Sequence, residues 1–246
     1  MTTTFADIRE YVVPLFIAED TDKLGPDEPV VVSRDRFLGT AFFVTKNGIA
    51  LTAAHCVPAP SDIPPGSAFL AVTWSGTQAH AQKVRAATVV DGRDLAILKI
   101  DWCPSKYLPV SFESVHMGED VLAVGVPLHS VSGQDYEFRC LKGNVTRMSN
   151  YVELSFPAPR GMSGSPVLRD GEVVGVVSWN ARAEALEDQT EETTETFGPI
   201  TRVTRTVVMA VTNYGQAEPI ASLRTAVWEF SDGLGFESLL GALNTR

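Results

Sequence analysis

Three short fragments of the chain carry side chains suited to nucleophilic chemistry. Gly161-Met162-Ser163-Gly164-Ser165-Pro166 sets a hydroxyl between glycines, where the backbone can approach another molecule closely because glycine has no side chain. If Ser163 acts as a nucleophile, the N–H groups of Gly161 and Ser163 are the donors that a developing oxyanion would meet. The same pattern also suits an ordinary surface turn. Its meaning therefore depends on whether the chain supplies a base and an acid to orient it. His55, in Thr52-Ala53-Ala54-His55-Cys56, follows a short apolar strand and stands at a strand-to-loop corner on rigid backbone. Asp94 stands at the mouth of the apolar run Leu95-Ala96-Ile97-Leu98-Lys99-Ile100, as a turn former or as a buried acid in need of a partner.

The elements that must position these residues read as strands. Residues 10–18 form an apolar run broken by Pro14, the pattern of an edge strand. Gly39–Thr45 and Ile49–Thr52 flank Lys46-Asn47-Gly48, a strong hairpin signal, and the second of them runs into His55. Ala68–Trp74, Gln82–Val90 and Leu95–Ile100 follow, with the turn Asp91-Gly92-Arg93-Asp94 between the last two. Cys103–Pro109 reads as a linker between two halves. The second half contains Asp120–Val126, a hairpin around Lys142-Gly143-Asn144, Tyr151–Phe156, and a hairpin joining Pro166–Leu168 to Val173–Trp179. Residues 181–197 carry Glu184, Glu187, Asp188, Glu191, Glu192 and Glu195 against Arg182, the composition of a solvated loop. Ile220, Leu223, Val227 and Phe230, then Phe236, Leu239, Leu240 and Leu243, recur at helical spacing and predict a short helical tail.

Composition narrows the functional classes. With 246 residues the chain can bury one large core or two small ones, and 44% hydrophobic against 20% charged residues is a globular balance. Its 19 glycines and 15 prolines punctuate short apolar runs, as in β-rich folds. A net charge of -10 argues against nucleic acid as a partner. No apolar run reaches the ~18 to 20 residues that span a bilayer, and Met1–Glu10 lacks the pattern of a secretory leader. Three cysteines, 56, 103 and 140, make a poor disulfide framework and lack zinc-site spacing. No metal or cofactor is expected, and the expected location is cytoplasmic.

In the order His55, Asp94, Ser163 the three fragments resemble the trypsin-like (chymotrypsin-fold) serine peptidases, including the bacterial HtrA type. Gly39-Thr40-Ala41-Phe42, Ala123-Val124-Gly125-Val126-Pro127 and Gly198-Pro199-Ile200-Thr201-Arg202-Val203 support it, over roughly residues 35 to 205. The resemblance implies an all-β fold of two antiparallel six-stranded β-barrels with the site in the cleft between them. Domain limits follow: 1–104 for the barrel with His55 and Asp94, 105–112 for the linker, 113–205 for the barrel with Ser163, and 206–246 for the tail. It implies Ser163 as nucleophile, His55 as general base and then acid, Asp94 as its orienting carboxylate, and Gly161 and Ser163 N–H groups as the oxyanion hole. Ser178 would support Asp94. Pro157, Ala158, Ser178, Trp179, Asn180 and Gly198 would line the pocket for the residue before the scissile bond (P1).

Chain order excludes rivals. All four histidines precede Ser163, so the Ser–Asp–His order of α/β-hydrolases is impossible. Met162 stands where secreted zymogens carry the aspartate that pairs with a freed N-terminus, which predicts no activation by cleavage. Cys56 lacks the partner that bridges it in secreted relatives, since Phe42 and Phe43 occupy the preceding strand. Pro157 at the expected pocket floor disfavours Arg or Lys at P1, and Asn180 stands where many relatives have glycine, so a small or medium apolar P1 is expected. The expected partner is a protein or peptide substrate, with the tail as a surface for a regulatory partner. The competing reading is a peptide-binding or conditionally active module on the same fold.

Overall fold

The computed structural model describes residues 5–20, 33–75, 78–132, 135–181, 185–197, 200–211 and 214–223. Twelve strands close into two antiparallel six-stranded barrels. The first contains β1 (Val12–Glu19), β2 (Phe37–Phe43), β3 (Ile49–Thr52), β4 (Ser67–Ser75), β5 (Gln78–Val89) and β6 (Ala96–Ile100), in the order β1-β2-β3-β6-β5-β4. The second contains β7 (Asp120–Gly125), β10 (Arg139–Met148), β11 (Val152–Leu154), β12 (Pro166–Arg169), β13 (Glu172–Ala181) and β16 (Tyr214–Pro219), in the order β10-β11-β16-β13-β12-β7. A small hairpin, β8 (Val131–Ser132) with β9 (Asp135–Tyr136), and a long one, β14 (Ala185–Phe197) with β15 (Ile200–Val211), stand outside the barrels.

Each barrel fills itself with alternate side chains. Val13, Leu15, Phe43, Ala50, Leu98 and Ile100 pack inside the first; Val121, Val145, Leu154, Met162, Val167 and Val177 pack inside the second. The opposite faces of β2, β3 and β6 meet those of β7, β12 and β13 through Phe42, Leu51, Ile97, Val124, Leu168 and Val176, which makes a third core between the barrels. The linker joins that seam: Ser111 and Val173 exchange backbone bonds with Val173 and Pro109, and Leu108 N–H donates to Phe43.

Four expectations change. β1 is not an edge strand, because it pairs with β2 and β4; Pro14 is tolerated because it pairs only with Thr40 of β2, and the β4 register begins at Leu15. Lys142-Gly143-Asn144 is not a turn but the middle of β10, opposite Leu122, Val121 and Asp120. Gly143 is needed there for space, since a Cβ would lie 2.7 Å from the Phe156 ring. The acidic stretch beyond Ala185 is not a loop but β14, whose register sets Glu192 opposite Arg205 and Glu195 opposite Arg202. Finally, residues 206–211 and 214–219 of the expected helical tail are strand: the rest of β15, then β16, which closes the second barrel. Only a 3-10 turn at Ile220–Ser222 follows, and residues 224–246 lie outside the described residues.

Candidate active site

The turn after β3 delivers His55 to the rim of the first barrel, and the turn before β6 delivers Asp94 beside it. A short 3-10 turn, Ala54–Cys56, buries Cys56 inward and leaves His55 facing outward. His55 Nδ1 lies 2.8 and 3.0 Å from the two Asp94 carboxylate oxygens, and the His55 backbone N–H donates to Asp94 Oδ1 at 3.0 Å. The hydroxyl of Ser178, a buried residue of β13, donates to Asp94 Oδ2. The bond to Asp94 is the main cause that raises the His55 pKa above the ordinary histidine range. Burial works to raise that of Asp94, but the hydrogen bonds from His55, Ser178 and the His55 backbone outweigh it and carry the group down to about 2. The carboxylate is therefore charged, and it fixes one ring nitrogen of His55 so that Nε2 is left for other chemistry.

Ser163 enters from the second barrel on the loop between β11 and β12. Its hydroxyl donates to the Ser178 backbone carbonyl at 3.0 Å, and no hydrogen bond joins it to His55 among the described residues. The loop around it is tied at every carbonyl. Arg160 O accepts from Leu128 N–H at 2.7 Å, Gly161 O from Thr40 Oγ1 at 3.2 Å, Met162 O from Ser165 N–H at 3.0 Å, and Ser163 O from Thr40 N–H at 2.9 Å. Across a trans peptide the N–H points opposite to the carbonyl. Gly161 N–H and Ser163 N–H are thus turned away from the bonded carbonyls of Arg160 and Met162, and among the described residues neither has an acceptor. Gly161 has φ +97, and a Cβ there would stand 2.4 Å from Leu128 N, so only glycine fits.

A cleft of about 530 Å³ holds this group, lined by His55, Asp94, Tyr151, Ala158, Pro159, Arg160, Ser163, Ser178, Trp179 and Asn180. Of the residues expected at the P1 pocket, Ala158, Ser178, Trp179 and Asn180 line it. Pro157 is exposed and is not among the lining residues, because Ala158 is the buried side chain that turns inward. Gly198 lies outside the described residues; Phe197 and Ile200 on either side of it pair with each other at the closed end of the β14–β15 hairpin. Asn180 closes across the slot: its Oδ1 accepts from Ala158 N–H at 2.6 Å and its Nδ2 donates to Ala158 O at 2.8 Å. Trp179, 57% exposed, and Tyr151 make an aromatic wall with ring centroids 6.4 Å apart.

The sequence reading passed over three positions. Arg160 lines the cleft, and its place directly before Gly161 was a usable signal. Tyr151 carried none. Glu218 of β16 is 1% exposed; its Oε1 accepts the Asp94 backbone N–H at 3.3 Å, and Oε2 lies 3.8 Å from Arg93. Burial raises its pKa, opposed by the Asp94 N–H and by Arg93. Among the described residues no group of three or more His, Cys, Asp or Glu is placed to hold a metal ion, and no helix is long and apolar enough to cross a membrane.

Two closed barrels with this cleft between them are the architecture of a chymotrypsin-fold serine peptidase. The chain belongs to the family of trypsin-like peptidase domains, whose profile matches residues 39–176. Among solved structures it is similar to neuropsin, a serine protease expressed in the limbic system of mouse brain, at 12% identity and TM-score 0.58, covering 93% of this chain and 97% of that one. It is also similar to the MamO protease domain from Magnetospirillum magneticum in its apo form, at 16% identity and TM-score 0.54, covering 90% and 98%. The serine endoprotease from Yersinia pestis aligns at 17% identity and TM-score 0.54, over 93% of this chain and 66% of that one. No curated protein sequence matches the chain.

Proposed function

We propose that this protein is a serine endopeptidase that cleaves protein or peptide substrates through an acyl-enzyme. The observation that carries the reading is a His55–Asp94–Ser178 hydrogen-bonded group and the Ser163 hydroxyl in one cleft, on a loop whose Gly161 and Ser163 N–H groups have no acceptor among the described residues. In this reading Ser163 attacks the scissile carbonyl while His55 Nε2 takes its proton. The oxyanion settles on the N–H groups of Gly161 and Ser163. His55 then gives the proton to the leaving amine, and water repeats the sequence on the ester. Asp94 remains ionised throughout and stabilises the imidazolium.

The substrate preference is for a small or medium apolar P1 residue. Asn180, bonded to both polar backbone atoms of Ala158, narrows the slot, and among the described residues no acidic side chain lines the cleft apart from Asp94, which His55 and Ser178 occupy. No cleavage is needed for activation, since buried Met162 offers no charge for a freed N-terminus to pair with.

One observation favours a second reading, a conditionally active module: the Ser163 hydroxyl donates to the Ser178 carbonyl rather than to His55. Labelling by a fluorophosphonate probe separates the two. The peptidase reading expects labelling of the wild type that Ser163→Ala abolishes. Absence of labelling at Ser163, with the fold intact by circular dichroism, selects the second reading.

A further inference from the structure

Thr40 lies in β2 of the first barrel, yet its hydrogen bonds go to the nucleophile loop of the second. It is 0% exposed. Its N–H donates to Ser163 O at 2.9 Å, and its Oγ1 donates to Gly161 O at 3.2 Å while accepting from Val126 N–H at 3.1 Å. Its own carbonyl is held by Thr52 Oγ1 at 2.7 Å. One buried side chain thus joins β2, the end of β7 and the loop carrying Ser163. Leu128, three residues after β7, adds the donor for Arg160 O.

These bonds bear on the oxyanion donors. The peptide joining Arg160 to Gly161 presents its N–H away from Leu128 because its carbonyl is bonded to Leu128. To invert that peptide, Arg160 O must leave its donor and Gly161 must shift against Thr40 Oγ1, whose other bond holds Val126. A buried polar group stripped of its partner is costly, so the bonds resist inversion together. At the position where an ion pair would otherwise organise such a loop, Met162 is fully buried in the apolar core with Val121, Ala123 and Val167, so no charge contributes.

We propose that Thr40, with Leu128, is the positioning device that keeps the oxyanion hole assembled without activation cleavage and without a partner. The inference rests on the peptidase reading of Ser163 for its kinetic consequences, but its structural content is independent of turnover. The first barrel thereby supplies not only a base and an acid but also the fixed geometry of the hole.

Two substitutions test it. Thr40→Val keeps the shape and removes the hydroxyl, whereas Thr40→Ser keeps both hydroxyl bonds. Leu128→Pro removes the N–H that holds Arg160 O at 2.7 Å and sets a ring carbon in its place, so that carbonyl loses its donor and must move away; Pro127 is already extended (ψ 144), as a residue before proline must be, and Leu128 opens a 3-10 turn, where proline is accommodated. With a peptide substrate that the wild type cleaves, Thr40→Val and Leu128→Pro are expected to lower kcat by about 10²-fold, the scale of losing one oxyanion donor, with KM within about threefold. Thr40→Ser is expected to stay within about threefold of the wild type. Crystal structures of the three variants read the Gly161 N–H orientation directly, inverted in Thr40→Val and Leu128→Pro and unchanged in Thr40→Ser. Should Thr40→Val fail to fold, Leu128→Pro decides. The proposal is overturned if the folded variants keep the wild-type orientation of this peptide. It is overturned equally if kcat falls as much in Thr40→Ser as in Thr40→Val. If the wild type is not labelled at Ser163 while the orientations change as expected, the peptidase reading fails and the positioning device stands.

Discussion

At the acid end of the cleft, the Asp94 carboxylate is held by three donors, His55 Nδ1, the His55 backbone N–H and Ser178 Oγ, while its own backbone N–H donates to Glu218 behind it. At the Ser163 end, the backbone from Arg160 to Ser163 is held just as completely, carbonyl by carbonyl, while the Ser163 hydroxyl rests on the Ser178 carbonyl. The two ends thus differ in one rotor. Whatever is costly to organise, the charged carboxylate, the ring orientation and the N–H directions, is organised already. In the peptidase reading the remaining step is a turn of the Ser163 hydroxyl about its Cα–Cβ bond between staggered wells, on the scale of ps–ns for an unhindered side chain. Ser178 links the ends, with its hydroxyl on Asp94 and its carbonyl on Ser163.

The largest expected effect on this comparison comes from Asp94→Asn. It leaves the packing in place but offers the ring a donor where it needs an acceptor, and kcat is expected to fall by about 10⁴-fold. The pH profile supplies a second reading. Because the bond to Asp94 raises the His55 pKa, and His55 must be neutral to take a proton, kcat/KM is expected to climb with pH along a limb above the ordinary histidine value. In Asp94→Asn that limb moves to lower pH. An unmoved limb would separate His55 titration from Asp94.

A smaller loss is expected from Ser178→Ala, which removes one donor from Asp94 but keeps the carbonyl under Ser163. About tenfold in kcat is the expected scale, roughly that of one hydrogen bond to a charged group, measured beside unchanged labelling stoichiometry. Glu218→Leu takes away the acceptor of the Asp94 N–H. The expected result is about 2 kcal/mol of lost stability, read as a Tm lower by about 5 °C, with a kcat decrease smaller than that of Ser178→Ala. Asn180→Gly opens the slot at Ala158 without touching either end. Total activity is expected to change least, within about threefold on a small P1 residue, while the preference across a P1 series shifts toward larger apolar side chains. A library in which the best P1 residue does not change would assign the narrowing to another group.

The three residues proposed here as a triad could be named from the sequence because each signal is local. A histidine after a hairpin strand, an aspartate before an apolar strand, and a serine between glycines can each be read within a few residues. Ala158 and Asn180 were likewise close in sequence to the fragments that named them. Glu218 and the reach of Thr40 were not legible, since both depend on register between segments 86 to 124 residues apart. Glu218 was further hidden by the stretch before it. The last barrel strand was expected to end near residue 205, but β14 and β15 intervene, and the strand that pairs with β13 begins only at Tyr214. Local composition misled in one more place: the glutamates of β14 look like a solvated loop until β15 supplies Arg202 and Arg205 opposite them.

That intervening hairpin has an architectural consequence. β13 and β16 are direct neighbours, paired as far as Ala181 with Tyr214, so the barrel wall is continuous where the hairpin departs and returns. Each of its strands has 12 or 13 residues, about 40 Å of extended chain at the usual rise, yet no ladder of the barrel passes through it. Departure and return are adjacent, so its length is decoupled from the closure of the barrel. Evolution, or an engineer, can lengthen, shorten or exchange this segment beside Asn180 as a free appendage, while the twelve barrel strands keep their pairing.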